Sequence, residues 1–229
     1  MAVVTGGSRG IGLAMARAFA GAGYQVVITG RDAVRLEAAG RVKQGSPVDT
    51  LVCDVTHPES VDSAFRRIRE MCGRIDVLVN NAGIAHGLTQ VEEFPVETWK
   101  QVIDTNLTGM FLVTRAALPL MNAGSSIVNN LSVAAVQPFA GMSAYNASKY
   151  GGLGFTQALR EELRKKGIRV IALLAGATDT EIWQQFWPEA PREKMISAES
   201  VAQAVLHAVS APANTTIEEI RIGPTSGVL

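Results

Sequence analysis

Seven short runs rich in Val, Ile and Leu, separated by longer amphipathic stretches, constrain this chain more than any other feature. They lie at residues 2–5, 25–29, 48–52, 76–79, 126–131, 168–173 and 217–222. Regular alternation of strand and helix signals is the mark of βα units and a parallel sheet. Most of the runs are apolar throughout instead of alternating, as strands covered by helices on both faces must be. Right-handed crossovers then give a doubly wound α/β fold. Residues 95–121 and 143–166 carry the two longest helical patterns. Residues 181–194, with Trp183, Phe186, Trp187, Pro188 and Pro191, fit neither pattern and interrupt the alternation.

A chain of 229 residues with 47% apolar content can bury one sizeable core. No linker, repeat or low-complexity tract marks a second unit, so residues 1–229 are expected to form a single domain. The 21 basic and 21 acidic residues cancel, which leaves no electrostatic footprint for a phosphate backbone and argues against a nucleic-acid partner. No apolar stretch is long enough for a membrane span, and the N-terminus enters a strand at once, leaving no room for a signal peptide. The expected compartment is the cytoplasm, with no membrane partner. Cys53 and Cys72 lie apart, without Cys or His neighbours at metal spacing, and read as reduced thiols. No metal site is expected, and His57, His86 and His207 match no catalytic pattern.

The run Thr5-Gly6-Gly7-Ser8-Arg9-Gly10-Ile11-Gly12 stands between an apolar strand and the helical stretch from Leu13 to Ala20. Glycines there allow a tight turn and close approach of backbone to a pyrophosphate, and the helix N-terminus offers free N–H groups and a positive dipole end. Tyr145 and Lys149 are four residues apart on a helical stretch, so they share one face about one turn apart. An ammonium beside a phenol favours the phenolate and lets Tyr145 trade a proton with a carbonyl or alcohol. Ser132 ends the fifth strand, at the sheet edge where open α/β folds bind ligands, and its hydroxyl can polarise a substrate oxygen. Asn106 is a poor helix former inside a long helical pattern, a local misfit of the kind found at functional sites.

The spacing Thr-Gly-x-x-x-Gly-x-Gly, then Asn80-Asn81-Ala82-Gly83, Asn106, Ser132 and Tyr145-x-x-x-Lys149, resembles the short-chain dehydrogenase/reductase family over essentially the whole chain. The resemblance implies a Rossmann-type domain with strand order 3-2-1-4-5-6-7 that binds a nicotinamide dinucleotide and transfers its hydride. It places Gly6, Ser8, Arg9, Ile11 and Gly12 at the pyrophosphate and adenosine side, Asp54 and Val55 at adenine, and Asn80 beside the cofactor. It makes Tyr145 the proton donor in reduction and Lys149 its tuner and a ligand of the nicotinamide ribose. Asn106 is to hold a relay water. It further implies a homodimer or homotetramer built through the two long helices.

NADP is favoured over NAD. An acid at the tip of the second strand would read the ribose 2′-OH, but Gly30 stands there and Arg31 follows, while Arg9 adds a second cation. Asp32 reads better as the cap of the next helix. The chain departs from the family after its sixth strand, where Ala175 replaces the usual proline and puts the rigidity of a nicotinamide-side loop in question. Thr178 and Thr180 remain as partners for the carboxamide. Residues 178–197 are expected to form a substrate lid whose aromatic rings wall an apolar pocket. The function expected is reduction of a ketone or aldehyde with NADPH. An NAD-dependent alcohol dehydrogenase and a catalytically silent dinucleotide sensor are the alternatives.

Overall fold

The computed structural model describes residues 1–41 and 48–227; the rest of the expected 1–229 domain lies outside the described residues. Seven strands form one parallel sheet: β1 (Ala2–Thr5), β2 (Val26–Gly30), β3 (Val48–Val52), β4 (Ile75–Asn80), β5 (Met121–Asn130), β6 (Arg169–Ala175) and β7 (Glu219–Ile222). Their spatial order is β3-β2-β1-β4-β5-β6-β7, a doubly wound Rossmann-type sheet. The helices are α1 (Gly10–Gly21), α2 (Ala33–Gly40), α3 (Pro58–Cys72), α4 (Val96–Ile103), α5 (Gly109–Ala117), α6 (Ser143–Arg164) and α7 (Ala198–Val209).

Apolar runs without alternation have the expected cause, since successive strand residues enter opposite cores. Val4, Ile28 and Val79 pack with Met15 and Phe19 of α1 and Val201 and Val205 of α7. Val3, Val27 and Leu78 pack with Phe65 and Ile68 of α3, Leu112 of α5 and Leu163 of α6. Helices thus cover both faces, and every β1 residue is buried. Between β1 and β4 the winding reverses, which opens a crevice at the carboxyl ends of the strands.

Several strand ends shift by one or two residues from the sequence reading, and three differences are instructive. β5 begins at Met121, five residues early, because Met121 pairs with Ile75 across a bulge before regular pairing resumes at Ser126. β7 is cut to Glu219–Ile222, the part that pairs with β6. The helical path through residues 95–121 is not one α-helix: a π-helical turn, Asp104–Thr108, separates α4 from α5, and a 3₁₀ turn, Leu118–Leu120, follows. A π turn widens the backbone ring by one residue and is a common accommodation for a residue that must point somewhere an α-helix would not take it. Asn106 sits within it, 1% exposed.

Candidate active site

A cleft of about 700 Å³ runs along the carboxyl edge of the sheet, from the tip of β3 to the tip of β6. That volume lies in the range of ligand and cofactor sites. On its β1–β3 side it is lined by Gly6, Ser8, Arg9, Ile11, Arg31, Asp54 and Val55, and on its β5–β6 side by Ser132, Tyr145, Lys149, Thr178 and Thr180. The glycine loop bends at Gly6, with φ +62°, where a Cβ would stand 2.9 Å from Ala82 Cα. No side chain caps the N-terminus of α1, so its first N–H groups are free for an anion. A loop with this close backbone approach and an uncapped helix end fits a dinucleotide pyrophosphate.

Gly12, Asn80 and Asn106, which the sequence reading set beside the cofactor or in catalysis, are not among the residues that line the cleft. A Cβ on Gly12 would fall 2.3 Å from Asn81 Nδ2 and 2.5 Å from the Gly6 carbonyl, so this glycine is required by packing behind the cleft. Asn80 is buried and donates to Thr114 Oγ1 at 2.9 Å and Asn129 Oδ1 at 2.8 Å. Asn129 in turn donates to Thr156 Oγ1, which makes a polar chain tying α5, β4, β5 and α6. The cleft residue is its neighbour Asn81. Asn106 also lies outside the cleft: its amide grips both the N–H and the C=O of Ile84 at 2.9 Å and donates to Ser148 Oγ at 3.0 Å. It pins the loop after β4 to α6.

Ser132 follows β5 with φ +123° and ψ +158°. That region is essentially reserved for glycine, and holding a side chain there costs on the order of 1–3 kcal/mol. The backbone N–H groups of Leu131 and Ser132 both donate to the Leu173 carbonyl, which fixes the turn against β6. Tyr145 lies in the first turn of α6. Burial pushes its phenol above the ordinary value, and the Ser132 hydroxyl works in the opposite direction. Lys149 is 7% exposed, and burial brings its ammonium down to about 8. Its Nζ stands 5.4 Å from the centre of the Tyr145 ring and donates to the Asn130 carbonyl at 3.0 Å. Asn130 donates to Asn81 Oδ1 at 2.8 Å, and Asn81 donates to the carbonyls of Thr5 and Gly6. A continuous polar chain therefore joins the lysine to the glycine loop. Sequence reasoning gave no role to Asn81, although it lies inside the Asn80-Asn81-Ala82-Gly83 motif, or to Asn130, two residues before Ser132.

His86 also has a defined place. Its Nδ1–H donates to the Gly87 carbonyl at 2.7 Å, and Nε2 accepts the backbone N–H of Tyr145 at 3.3 Å. This contact with α6 was not foreseen. On the other side of the cleft, burial tends to raise the Asp54 carboxyl, but hydrogen bonds from the Thr56 N–H and hydroxyl and the charge of Arg31 hold it below the usual range. One of its oxygens is occupied by Thr56, the turn role that competes with adenine recognition. Asp32 accepts from the N–H groups of Val34 and Arg35, the cap expected of it. Cys53, on the cleft wall, is a free thiol pushed up to about 11, chiefly by burial.

Beyond β6 the chain makes an excursion whose neck is closed by a bridge between Thr178 and Ile196. Arg192 reinforces it through Asp179 Oδ1 and the Thr180 carbonyl. Ala175, in place of the family's proline, is paired with Ile222 at the end of β6, so the ladder supplies rigidity there. Trp183 donates to the Thr178 carbonyl at 2.9 Å and packs on Phe186 and Trp187. All three rings line the cleft. No helix among the described residues is long and apolar enough to cross a membrane, and no cluster of metal-ligating side chains occurs among them.

Known proteins share this arrangement. An uncharacterized oxidoreductase of Staphylococcus saprophyticus is 35% identical, with 98% of this chain and 97% of that one aligned. Sulfoacetaldehyde reductase 2 of Chromohalobacter salexigens is 34% identical over 97% of this chain and 93% of its own length. The structure of an alcohol dehydrogenase from the archaeon Thermococcus sibiricus, complexed with 5-hydroxy-NADP, superposes with a TM-score of 0.90 at 28% identity, covering 99% and 97% of the two chains. The family model for short chain dehydrogenases matches residues 1–191, and with the Rossmann sheet and the Tyr-x-x-x-Lys pair on one cleft, the chain belongs to that oxidoreductase family.

Proposed function

We propose that this oxidoreductase uses NADP(H) to interconvert a ketone or aldehyde with its alcohol, reduction being the direction the site favours. The observation that carries this reading is the convergence of Ser132, Tyr145 and Lys149 on a cleft whose far end is the glycine loop and an arginine-rich rim. The cofactor supplies the hydride. Burial pushes the Tyr145 phenol above its ordinary value, the direction that suits a group that donates a proton to a carbonyl oxygen as that oxygen gains charge. Ser132 Oγ hydrogen-bonds the same oxygen and orients it. Lys149 would hold the ribose hydroxyls of the bound cofactor and return a proton to Tyr145 after turnover, regaining its own from solvent. Asn106 acts on this set by positioning Ile84 and α6. In this reading Gly6, Ser8, Arg9 and Ile11 take the pyrophosphate and adenosine side, Asp54 and Val55 the adenine, and Thr178 and Thr180 the carboxamide.

The preference for NADP rests on the rim. Arg9, Arg31 and Arg35 face the cleft beside Gly30, and the Asp32 carboxylate is engaged by its capping bonds and by Arg35 at 3.3 Å. The substrate end argues for an uncharged, largely apolar carbonyl compound. Its walls include Leu88, Phe139, Met142, Ile182, Phe186 and Trp187, and among the described residues Lys149 is the one cation at this end to match a sulfonate or carboxylate. Residues 178–197 serve as the lid of this pocket, and residues 1–229 work as one unit in the cytoplasm. Trp99, Phe111 and Tyr150 are exposed on α4, α5 and α6, and a homodimer or homotetramer would cover them. Incubation with NADPH and a panel of ketones and aldehydes, followed at the nicotinamide absorbance, tests the reading. No oxidation of NADPH with any carbonyl, despite cofactor binding, would leave a silent sensor in its place.

A further inference from the structure

The charged rim already holds an anion of the protein's own. Glu181 begins the 3₁₀ turn Glu181–Gln185 beyond β6, far along the chain from the arginines it meets. A single oxygen, Oε2, takes Arg9 Nη1 at 2.8 Å and Arg35 Nη1 at 3.4 Å. Arg35 also contacts Asp32 Oδ2 at 3.3 Å. All four side chains line the cleft. The hydrogen bond from Arg9 is the main reason the Glu181 carboxyl lies below the usual range, with Arg35 acting in the same direction.

We infer that Arg9 and Arg35 form a two-guanidinium anion site, that the Glu181 carboxylate occupies it in the ligand-free chain, and that the 2′-phosphate of NADP(H) displaces Glu181 from it. The inference rests on the NADP reading above and adds to it a cofactor-specificity residue outside the Rossmann half. The chemistry is that of competing acceptors. One carboxylate oxygen shared between two guanidinium groups leaves both forks incompletely used, whereas a phosphate dianion brings a second charge and three strong acceptor oxygens. The ion pairs it must break are exposed, with Arg9 43% and Glu181 60% accessible, and such pairs hold weakly.

Displacement has a second effect because of where Glu181 sits. The turn it starts carries Trp183, and Gln185, its last residue, accepts the N–H of Ala85 at 2.9 Å through its side chain. Phe186 and Trp187 come next. While Glu181 is latched, this turn is tied to the glycine loop and α2; once it is displaced, the turn loses those ties and keeps the neck, the Trp183 bond to the Thr178 carbonyl and Gln185. A phosphate on the adenosine side therefore loosens the aromatic wall on the substrate side, which a cofactor lacking that phosphate does not do.

Binding of adenosine 2′,5′-bisphosphate and of AMP, measured by calorimetry on wild type, Glu181→Gln and Arg35→Gln, separates the possibilities without any turnover. Wild type should prefer the bisphosphate. Glu181→Gln removes the internal competitor and should tighten the bisphosphate by about 3- to 10-fold, the value of one or two exposed ion pairs, with AMP unchanged. Arg35→Gln should weaken the bisphosphate and spare AMP. Hydrogen exchange of residues 181–187 should rise when wild type binds the bisphosphate and be already high in Glu181→Gln. A wild type that holds AMP as tightly as the bisphosphate overturns the NADP reading and the latch with it. A wild type that prefers the bisphosphate, with Glu181→Gln unchanged or weaker, overturns the latch alone.

Discussion

At the β1–β3 end of the cleft the walls are Arg9, Arg31, Asp32, Arg35 and Asp54, mostly exposed, with Arg35 paired to Asp32 and both Arg9 and Arg35 to Glu181. At the β5–β6 end they are mostly aromatic and aliphatic side chains around one ammonium, Lys149, which is 7% exposed and has no acidic partner among the described residues. The first end recognises by many weak, screened charges, and losing one costs a fraction of the binding. The second works with few groups in a low-dielectric setting, where each polar atom matters more. Cofactor choice is therefore easy to shift by substitution, and chemistry is easy to destroy.

The sharpest way to break this contrast is Tyr145→Phe. Turnover should fall by roughly 10² to 10⁴, the range for loss of a positioned acid, with NADPH affinity kept; steady-state kinetics beside a binding titration check both. Next comes Lys149. Its folded value of about 8 lies below the ordinary 10.5, so between those values the unfolded chain binds more protons than the folded one and wild-type stability rises with pH. Lys149→Met should abolish that rise and be more stable than wild type at pH 7, by at most about 3 kcal/mol, while losing activity. Urea melts at pH 7.5 and 10 measure the difference. At the other end, Arg31→Ser should weaken NADPH by about 10-fold and NADH by less than about 2-fold. Equal losses would show that Arg31 does not meet the 2′-phosphate. The smallest effect is that of Trp187→Ala. Its ring is 39% exposed, so the melting temperature should barely move, while KM for bulky apolar ketones rises by about 3- to 10-fold and KM for small polar ones does not.

The two ends also differ in how far they could be read from the sequence. The glycine loop and Tyr145-x-x-x-Lys149 are local patterns in which the spacing itself places the groups, and both lie on the cleft. Asn80 and Asn81 show where such reading stops. They adjoin each other at the end of β4, where consecutive side chains take opposite sides, and only the pairing of Asn80 with Thr114 and Asn129 reveals which one faces the core. Asn106 was legible as a misfit, but not as the centre of a π turn that grips Ile84, because that grip joins residues 22 apart in sequence. The Glu181 contact spans 172 residues, and no local pattern encodes it.

Ser132 has a consequence for anyone who selects this protein for heat resistance. Its backbone angles are ones that glycine adopts freely, and the strain relieved by Ser132→Gly, on the order of 1–3 kcal/mol, exceeds the roughly 0.4–1 kcal/mol by which glycine's freedom favours the unfolded chain. A library screened for thermal survival alone should therefore enrich glycine at position 132. The survivors would have discarded the hydroxyl proposed to orient the substrate, so on that proposal a heat-selected lineage drifts toward an inert dinucleotide binder unless each round also demands turnover.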